Sequence, residues 1–325
     1  MFKSIITFLK NWTLPSAIVG GTLIYLLFYY VPQLDGIGDA LSPFFDVAFP
    51  LFMGGILFVT FCRVDFHKMR PTRWHLWLTV FQLIEVAAIA GAIILSHVSD
   101  KSLALIEGIL TCVIGPGAAA AAVVTGKLGG NLESMTTYTF ISNIVTALMV
   151  PLVFPLIDNS VDMPFLASFF TILVRVCMVL ILPMLLAYIV KHWMPRLQQR
   201  IVSVPDLSFY MWGISLSIVT GFTVKSIIHS HASLLFLAAT ALVALLLCFV
   251  QFAAGRYIGH YFGAHIEGGQ GLGQKNTAFA VWIAHTYLNP LSVAGPGFYI
   301  IWQNLVNSVE IWHHARSTSR SHADQ

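Results

Sequence analysis

Residues 109–125 read ILTCVIGPGAAAAAVVT, and residues 267–284 read EGGQGLGQKNTAFAVWIA. Each is an apolar run cut near its middle, the first by Gly115-Pro116-Gly117 and the second by Gly271-Leu272-Gly273-Gln274-Lys275-Asn276. A helix broken inside lipid frees backbone N–H and C=O groups that are costly to leave unpaired, so a break survives only where protein, water, an ion or a substrate supplies partners. Pro116 removes one donor, and the glycines remove side-chain bulk. Gln274-Lys275-Asn276-Thr277 puts four consecutive polar residues in an otherwise apolar run, which is costly unless they line a cavity. Two plainer alternatives stand beside this reading. The first cut is a kink packed on a neighbouring helix, or the second is a cytoplasmic loop with its helix starting only at Thr277.

Working outward, the chain has 325 residues, of which 57% are hydrophobic and 10% charged, with a mean hydropathy of +0.80. An ordinary soluble chain carries roughly a quarter charged residues. These figures exclude disordered, fibrous and small disulfide-rich classes and most soluble enzymes. At about 20 apolar residues per crossing there is room for about ten transmembrane helices. Punctuation places the runs at 14–31, 41–62, 74–96, 103–125, 134–157, 165–190, 208–229, 234–257, 267–284 and 290–309. Lys3 and Lys10 precede the first run, which suits an uncleaved first helix better than a signal peptide. Cys62, Cys112, Cys177 and Cys248 lack metal-type spacing and read as buried thiols.

Charge supports this layout independently. With the N-terminus in the cytoplasm, Lys3, Lys10, Arg63, Lys68, Arg70, Arg73, Lys127, Lys191, Arg196, Arg200, Arg256, Arg316 and Arg320 fall on the inner side. The outer side takes only Lys101 and Lys225, with Asp35, Asp39, Asp100, Asp158 and Asp162. That asymmetry follows the positive-inside rule, and predicts a multi-pass protein of the cell membrane with both termini cytoplasmic. The net charge of +3 therefore reports orientation and not a nucleic-acid partner. A polar segment after residue 157 separates five runs (1–157) from five more (158–312), with a polar tail at 313–325. Two halves of odd span number that share a fold must be inverted, and both cuts fall in the fourth span of their half. Gly/Pro-broken segments at matching positions of inverted repeats point to the binding site of a secondary transporter. The expected fold is an all-α membrane protein of ten transmembrane helices in two inverted five-helix repeats.

Three ionisable residues lie near mid-span: Glu85, Arg175 and Lys275. Each costs at least about 2.5 kcal/mol at the bilayer centre unless paired or hydrated. The expectation is that Glu85 neutralises either Lys275 or Arg175 while the other cation helps hold an anionic substrate. A purely structural ion pair is the alternative. Thr139 and Asn143 lie one turn apart, and Gln82 precedes Glu85 by almost one turn, so these side chains offer oxygen ligands or donors. They also suit simple bridging between membrane helices. No nucleophile with its base, phosphate loop or metalloprotease helix is present, which argues against an enzyme and against a cofactor.

The stretches from Gly115-Pro116-Gly117-Ala118 to Pro151-Leu152-Val153-Phe154-Pro155, and from Gly271 to Leu288, resemble the bile acid:sodium symporter family. That resemblance implies ten helices in two inverted repeats, a panel domain and a core domain, with broken helices 4 and 9 crossing at the substrate and sodium sites. The family's small polar residues after Pro-Gly are replaced by Ala118 to Ala122, and its fifth-helix hydroxyl pair falls on Thr139 and Asn143. Its ninth-helix Glu-x-Gly-Met-Gln-Asn loses the carboxylate. Aligned on Asn276, Gly271 stands at the Glu and Lys275 at the Gln; aligned on Gln274, Gln270 stands at the Glu, and Glu267 lies about a turn away. Thr139, Asn143 and Gln274 remain as weak sodium ligands, while Lys275 is a tethered cation for similar space. The expected activity is alternating-access transport of a small organic anion (a bile acid, steroid-like acid or carboxylate), with sodium or a proton as coupling ion. The expected site comprises Gly115, Pro116, Gly117, Gly271, Gly273, Gln274, Lys275, Asn276, Thr277, Gln82, Glu85, Thr139, Asn143 and Arg175. The alternative is a non-transporting membrane receptor or sensor for such an anion.

Overall fold

The computed structural model describes residues 13–95, 100–157, 164–204, 207–229 and 232–323; Lys3, Lys10, Asp158 and Asp162 of the charge pattern lie outside them. The described residues are almost wholly helical. In chain order the helices are α1 (Thr13–Tyr30), α2 (Asp35–Arg63), α3 (Arg73–Leu95), α4 (Asp100–Ile114), α5 (Ala119–Lys127), α6 (Leu132–Ile157) and α7 (Phe165–Trp193). They continue with α8 (Pro195–Ser203), α9 (Leu207–His229), α10 (Leu234–His260), α11 (His265–Gly273), α12 (Thr277–Tyr287) and α13 (Ala294–Ala323). Among the described residues, six helices are long and apolar enough to cross a membrane: those within α2, α3, α6, α7, α9 and α10. Their apolar side chains do not all turn inward. Leu51, Ile84, Leu152, Leu186 and Leu246 stand exposed around the periphery, far more apolar surface than water tolerates on a monomer. The protein is an all-α, multi-pass membrane protein.

Both cut stretches are helix, break and helix. The first break spans Gly115 to Ala118, between α4 and α5. The second is narrower than the sequence suggests, covering only Gln274, Lys275 and Asn276 between α11 and α12. Gly271 and Gly273 stay in α11 and do not open the backbone. Close packing explains them instead: a Cβ on Gly273 would lie 2.3 Å from the Phe252 ring, and one on Gly271 would lie 3.0 Å from both Leu78 and the Tyr138 ring. The amphipathic α8, with Arg196 and Arg200, has no counterpart among the apolar runs.

Two packing groups position the breaks. One gathers α1 against α9, with α2 between α9 and α7. The other gathers α3, α4, α5 and α6 with α10, α11, α12 and α13, and α6 joins the groups through α7. Small residues allow the closest crossings. Gly255 of α10 meets Gly268 of α11, and Gly108 of α4 meets Gly295 of α13, each so tightly that a Cβ would fall within 2.9 Å of the other helix's backbone. Lipid gives little hydrophobic drive to helix pairing, so such approach is a main source of contact energy.

Candidate functional site at the paired breaks

The chemistry of this region follows from asking where each backbone group of the two breaks goes. The N–H of Gly117 donates to Ser142 Oγ at 2.7 Å, and that of Ala118 donates to the Gln274 carbonyl at 2.9 Å. Pro116 has none to give. The carbonyls of Val113, Ile114 and Gly115 therefore lose their usual helical donors. Gln82 of α3 supplies its Nε2, at 2.9 Å from Val113 O and 3.2 Å from Gly115 O. Lys275 supplies its Nζ to the same two oxygens, at 3.1 and 3.3 Å. Thr146 Oγ1 donates to Ile114 O at 2.9 Å. A cation thus sits on the C-terminal carbonyls of α4, where the helix dipole is negative. Only 1% of Lys275 is exposed.

The second break is satisfied in the same manner. Asn276 N–H donates to Pro116 O at 2.8 Å, which with the Ala118–Gln274 bond pairs the two breaks as a short antiparallel β-bridge centred on Gly117 and Lys275. Gln303 of α13 clamps the Lys275 backbone: its Oε1 accepts from Lys275 N at 2.9 Å and its Nε2 donates to Lys275 O at 3.2 Å. Tyr299 donates its hydroxyl to Gly273 O at 2.9 Å, and the Asn276 side chain caps α12 by accepting from Phe279 N–H.

The structure brings together most of the residues singled out from sequence. Gln82, Gly115, Pro116, Gly117, Gln274, Lys275, Asn276 and Thr277 meet at the bridge. Thr139 and Asn143 lie beside it on α6, and their donors turn back on their own helix, Thr139 Oγ1 to Met135 O and Asn143 Nδ2 to Thr139 O. The acceptor oxygens Asn143 Oδ1 and Gln274 Oε1 are buried without a hydrogen-bond partner among the described residues. These neutral oxygens are the ones a small hard cation would use. No group of three or more acidic, His or Cys side chains able to hold a metal ion occurs among the described residues.

Among the described residues Glu85 makes no direct contact with the ammonium of Lys275 or the guanidinium of Arg175. Glu85 is half-buried on α3, with both carboxylate oxygens accepting from Gln251 Nε2 at 2.9 Å. It feels the Lys275 charge, but the ammonium makes its bonds to carbonyls. Arg175 lies apart from the bridge. It lines a cavity of about 380 Å³ with Phe49, Phe222, Trp282, His285 and Thr286, between α2, α7, α9 and α12. Glu267 is also not at the bridge, because its carboxylate accepts from Asn131 N–H in the loop after α5.

Sequence reasoning missed Ser142, Thr146, Gln251, Tyr299 and Gln303. For two of them a signal was present: Thr139, Ser142, Asn143 and Thr146 form a polar stripe at helical spacing on α6. Gln251 is the single amide of an apolar helix and Gln303 is one of three in α13, beside Asn304 and Asn307; only the fold identifies their partners.

Against known proteins, the model of the sodium bile acid symporter family matches residues 50–230, a stretch that includes the first break. Among curated proteins none matches.

Proposed function

Because the chain belongs to the sodium bile acid symporter family, whose members are transporters, we propose that it carries a small organic anion across the cell membrane by alternating access, with Lys275 standing in for a coupling sodium. The observation that carries this reading is the Lys275 ammonium on the Val113 and Gly115 carbonyls, at the point where two broken helices pair. Carbonyls at a helix C-terminus attract a cation, and a covalently attached one need not be drawn from solution. A second positive charge beside it is disfavoured, while Asn143 and Gln274, whose oxygens have no partner among the described residues, give a diffusing cation no carboxylate.

Ten spans in two inverted repeats accommodate these helices. On this reading α1, α2, α7 and α9 form the panel, the remaining spans form the core, and both termini are cytoplasmic. The anion enters through the cavity at Arg175. The guanidinium holds its acidic group, and Phe49, Phe222 and Trp282 cover an apolar body. A neighbouring cavity shares His285 and adds Lys225 and His229, so the approach is basic.

Proteoliposome uptake of labelled taurocholate, measured with and without sodium, tests the proposal. Uptake independent of sodium is expected, and Arg175→Gln should weaken apparent affinity by about 10- to 100-fold, the worth of a charged hydrogen bond. Uptake that strictly requires sodium would overturn the role given to Lys275. Saturable binding with no flux under any gradient would favour the receptor reading.

A further inference from the structure

Gln251 of α10 is fully buried. Its amide nitrogen donates to both oxygens of the Glu85 carboxylate, while its amide oxygen Oε1 has no hydrogen-bond partner among the described residues. Buried side-chain acceptors are nearly always satisfied, and one that is not calls for an explanation. The group beside it cannot help in its ionised form, because a carboxylate only accepts. A carboxylic acid can. With one proton on Glu85, its O–H donates to Gln251 Oε1 after a small rotation of the amide, and Gln251 Nε2–H keeps donating to the acid's carbonyl oxygen. The two side chains then close a cyclic acid–amide pair in which all facing polar atoms are matched.

Charge favours the same two-state behaviour. An ionised carboxylate in a spanning helix is costly, and a neutral acid–amide pair is far less so. The charged and titratable groups around Glu85 are Lys275 in the second break, Tyr138 on α6 and Tyr299 on α13. Cys112 on α4 lies near Lys275, and Cys248 on α10 near Tyr299. Lys275 already donates to two carbonyls; its positive charge compensates Glu85 when the proton has left. Glu85 itself is only half-buried, so the pair is not sealed within the protein interior.

We infer that Glu85 and Gln251 form a proton-binding site within the spanning core, and that this proton is the coupling ion; the second part rests on the transport reading above. Discharge breaks the O–H bond of the acid, releases the proton to water and leaves the carboxylate held by the Gln251 amide.

Infrared difference spectroscopy of the full-length protein in liposomes, titrated from alkaline to acid pH with no substrate present, reads the site directly. A C=O band of a protonated carboxyl group, shifted in D2O, is expected. Glu85→Gln should abolish it while keeping the side-chain shape. Gln251→Leu, which removes the ring partner, should displace the band without abolishing it. A band that survives Glu85→Gln, or none at any pH at which the protein is folded, would overturn the site. The coupling role is read separately, in sodium-free proteoliposomes with taurocholate, whose sulfonate keeps it charged. An inward proton gradient should raise uptake several-fold in the wild type and not in Glu85→Gln. Equal uptake with and without the gradient in a wild type that shows the band would overturn the coupling role and leave the proton site standing.

Discussion

Lys275 and Gln82 converge on the same two carbonyls, and the cost of removing either depends on which groups lose a partner. Lys275→Met keeps the bulk of the chain but withdraws one donor from Val113 O and Gly115 O. Gln82 still reaches both, so the expected loss is about 1–3 kcal/mol, the penalty of an under-satisfied buried group. Lys275→Gln restores a neutral donor and should recover part of it. Lys275→Met combined with Gln82→Leu should cost more than the sum of the single changes, because the last donor then disappears. Unfolding in detergent measures all four, and strictly additive losses would mean that the two side chains do not share those oxygens. Polar side chains in apolar runs were legible in sequence because lipid makes them expensive. What they bond to was not: the Gln82 partners are backbone atoms 31 and 33 residues away, and a carbonyl carries no sequence signal. The hydrogen-bond partner of Glu85 was not legible for the same reason, since charges alone do not reveal that carbonyls and an amide compete for them.

At the scale of elements, the breaks and their glycines separate into two kinds. Gly115 is at the opened backbone, where an added Cβ would come no closer than 3.2 Å to the Thr111 carbonyl. Gly273 is inside α11, where it would strike the Phe252 ring. Gly115→Ala should therefore cost less than about 1 kcal/mol, and Gly273→Ala about 1–3 kcal/mol through overpacking. Adding Phe252→Leu should recover much of the second loss, and thermal unfolding of the three variants checks the order. A larger loss at Gly115 would place the conformational demand where packing was expected to dominate. The runs and cuts were legible because apolar length and Gly/Pro punctuation act locally. The extent of the second break was not. Glycine in lipid serves close packing as readily as it serves an opened backbone, and the letters Gly271 and Gly273 are the same in either role. The α8 helix escaped because nine amphipathic residues with two arginines resemble a loop when only apolar runs are followed.

Over the whole molecule, two contacts far apart in the chain repeat each other. Glu107 on α4 accepts from the N–H of Asn289, in the loop after α12, and Glu267 on α11 accepts from the N–H of Asn131, in the loop after α5. Each asparagine then uses its own side-chain oxygen to cap the next turn of the chain, accepting from Leu291 N–H in one case and Ser134 N–H in the other. Thus each first half-helix holds the loop beyond the opposite second half-helix. One five-helix unit used twice and inverted would produce this exchange, and would place the two loops on opposite faces of the membrane. Two halves of odd span number with cuts at matching positions point to such an inversion, but no local signal connects Glu107 to Glu267, because carboxylates near span ends are common. Single cysteines test it in a chain whose Cys62, Cys112, Cys177 and Cys248 are replaced by Ala or Ser. A membrane-impermeant maleimide applied to intact cells should label Asn289→Cys and spare Asn131→Cys, with the pattern reversed in inside-out vesicles. Labelling of both positions from one side would require an even number of crossings between Asn131 and Asn289. Two inverted units could not then produce the shared contacts, and the one-sided charge pattern would need another cause.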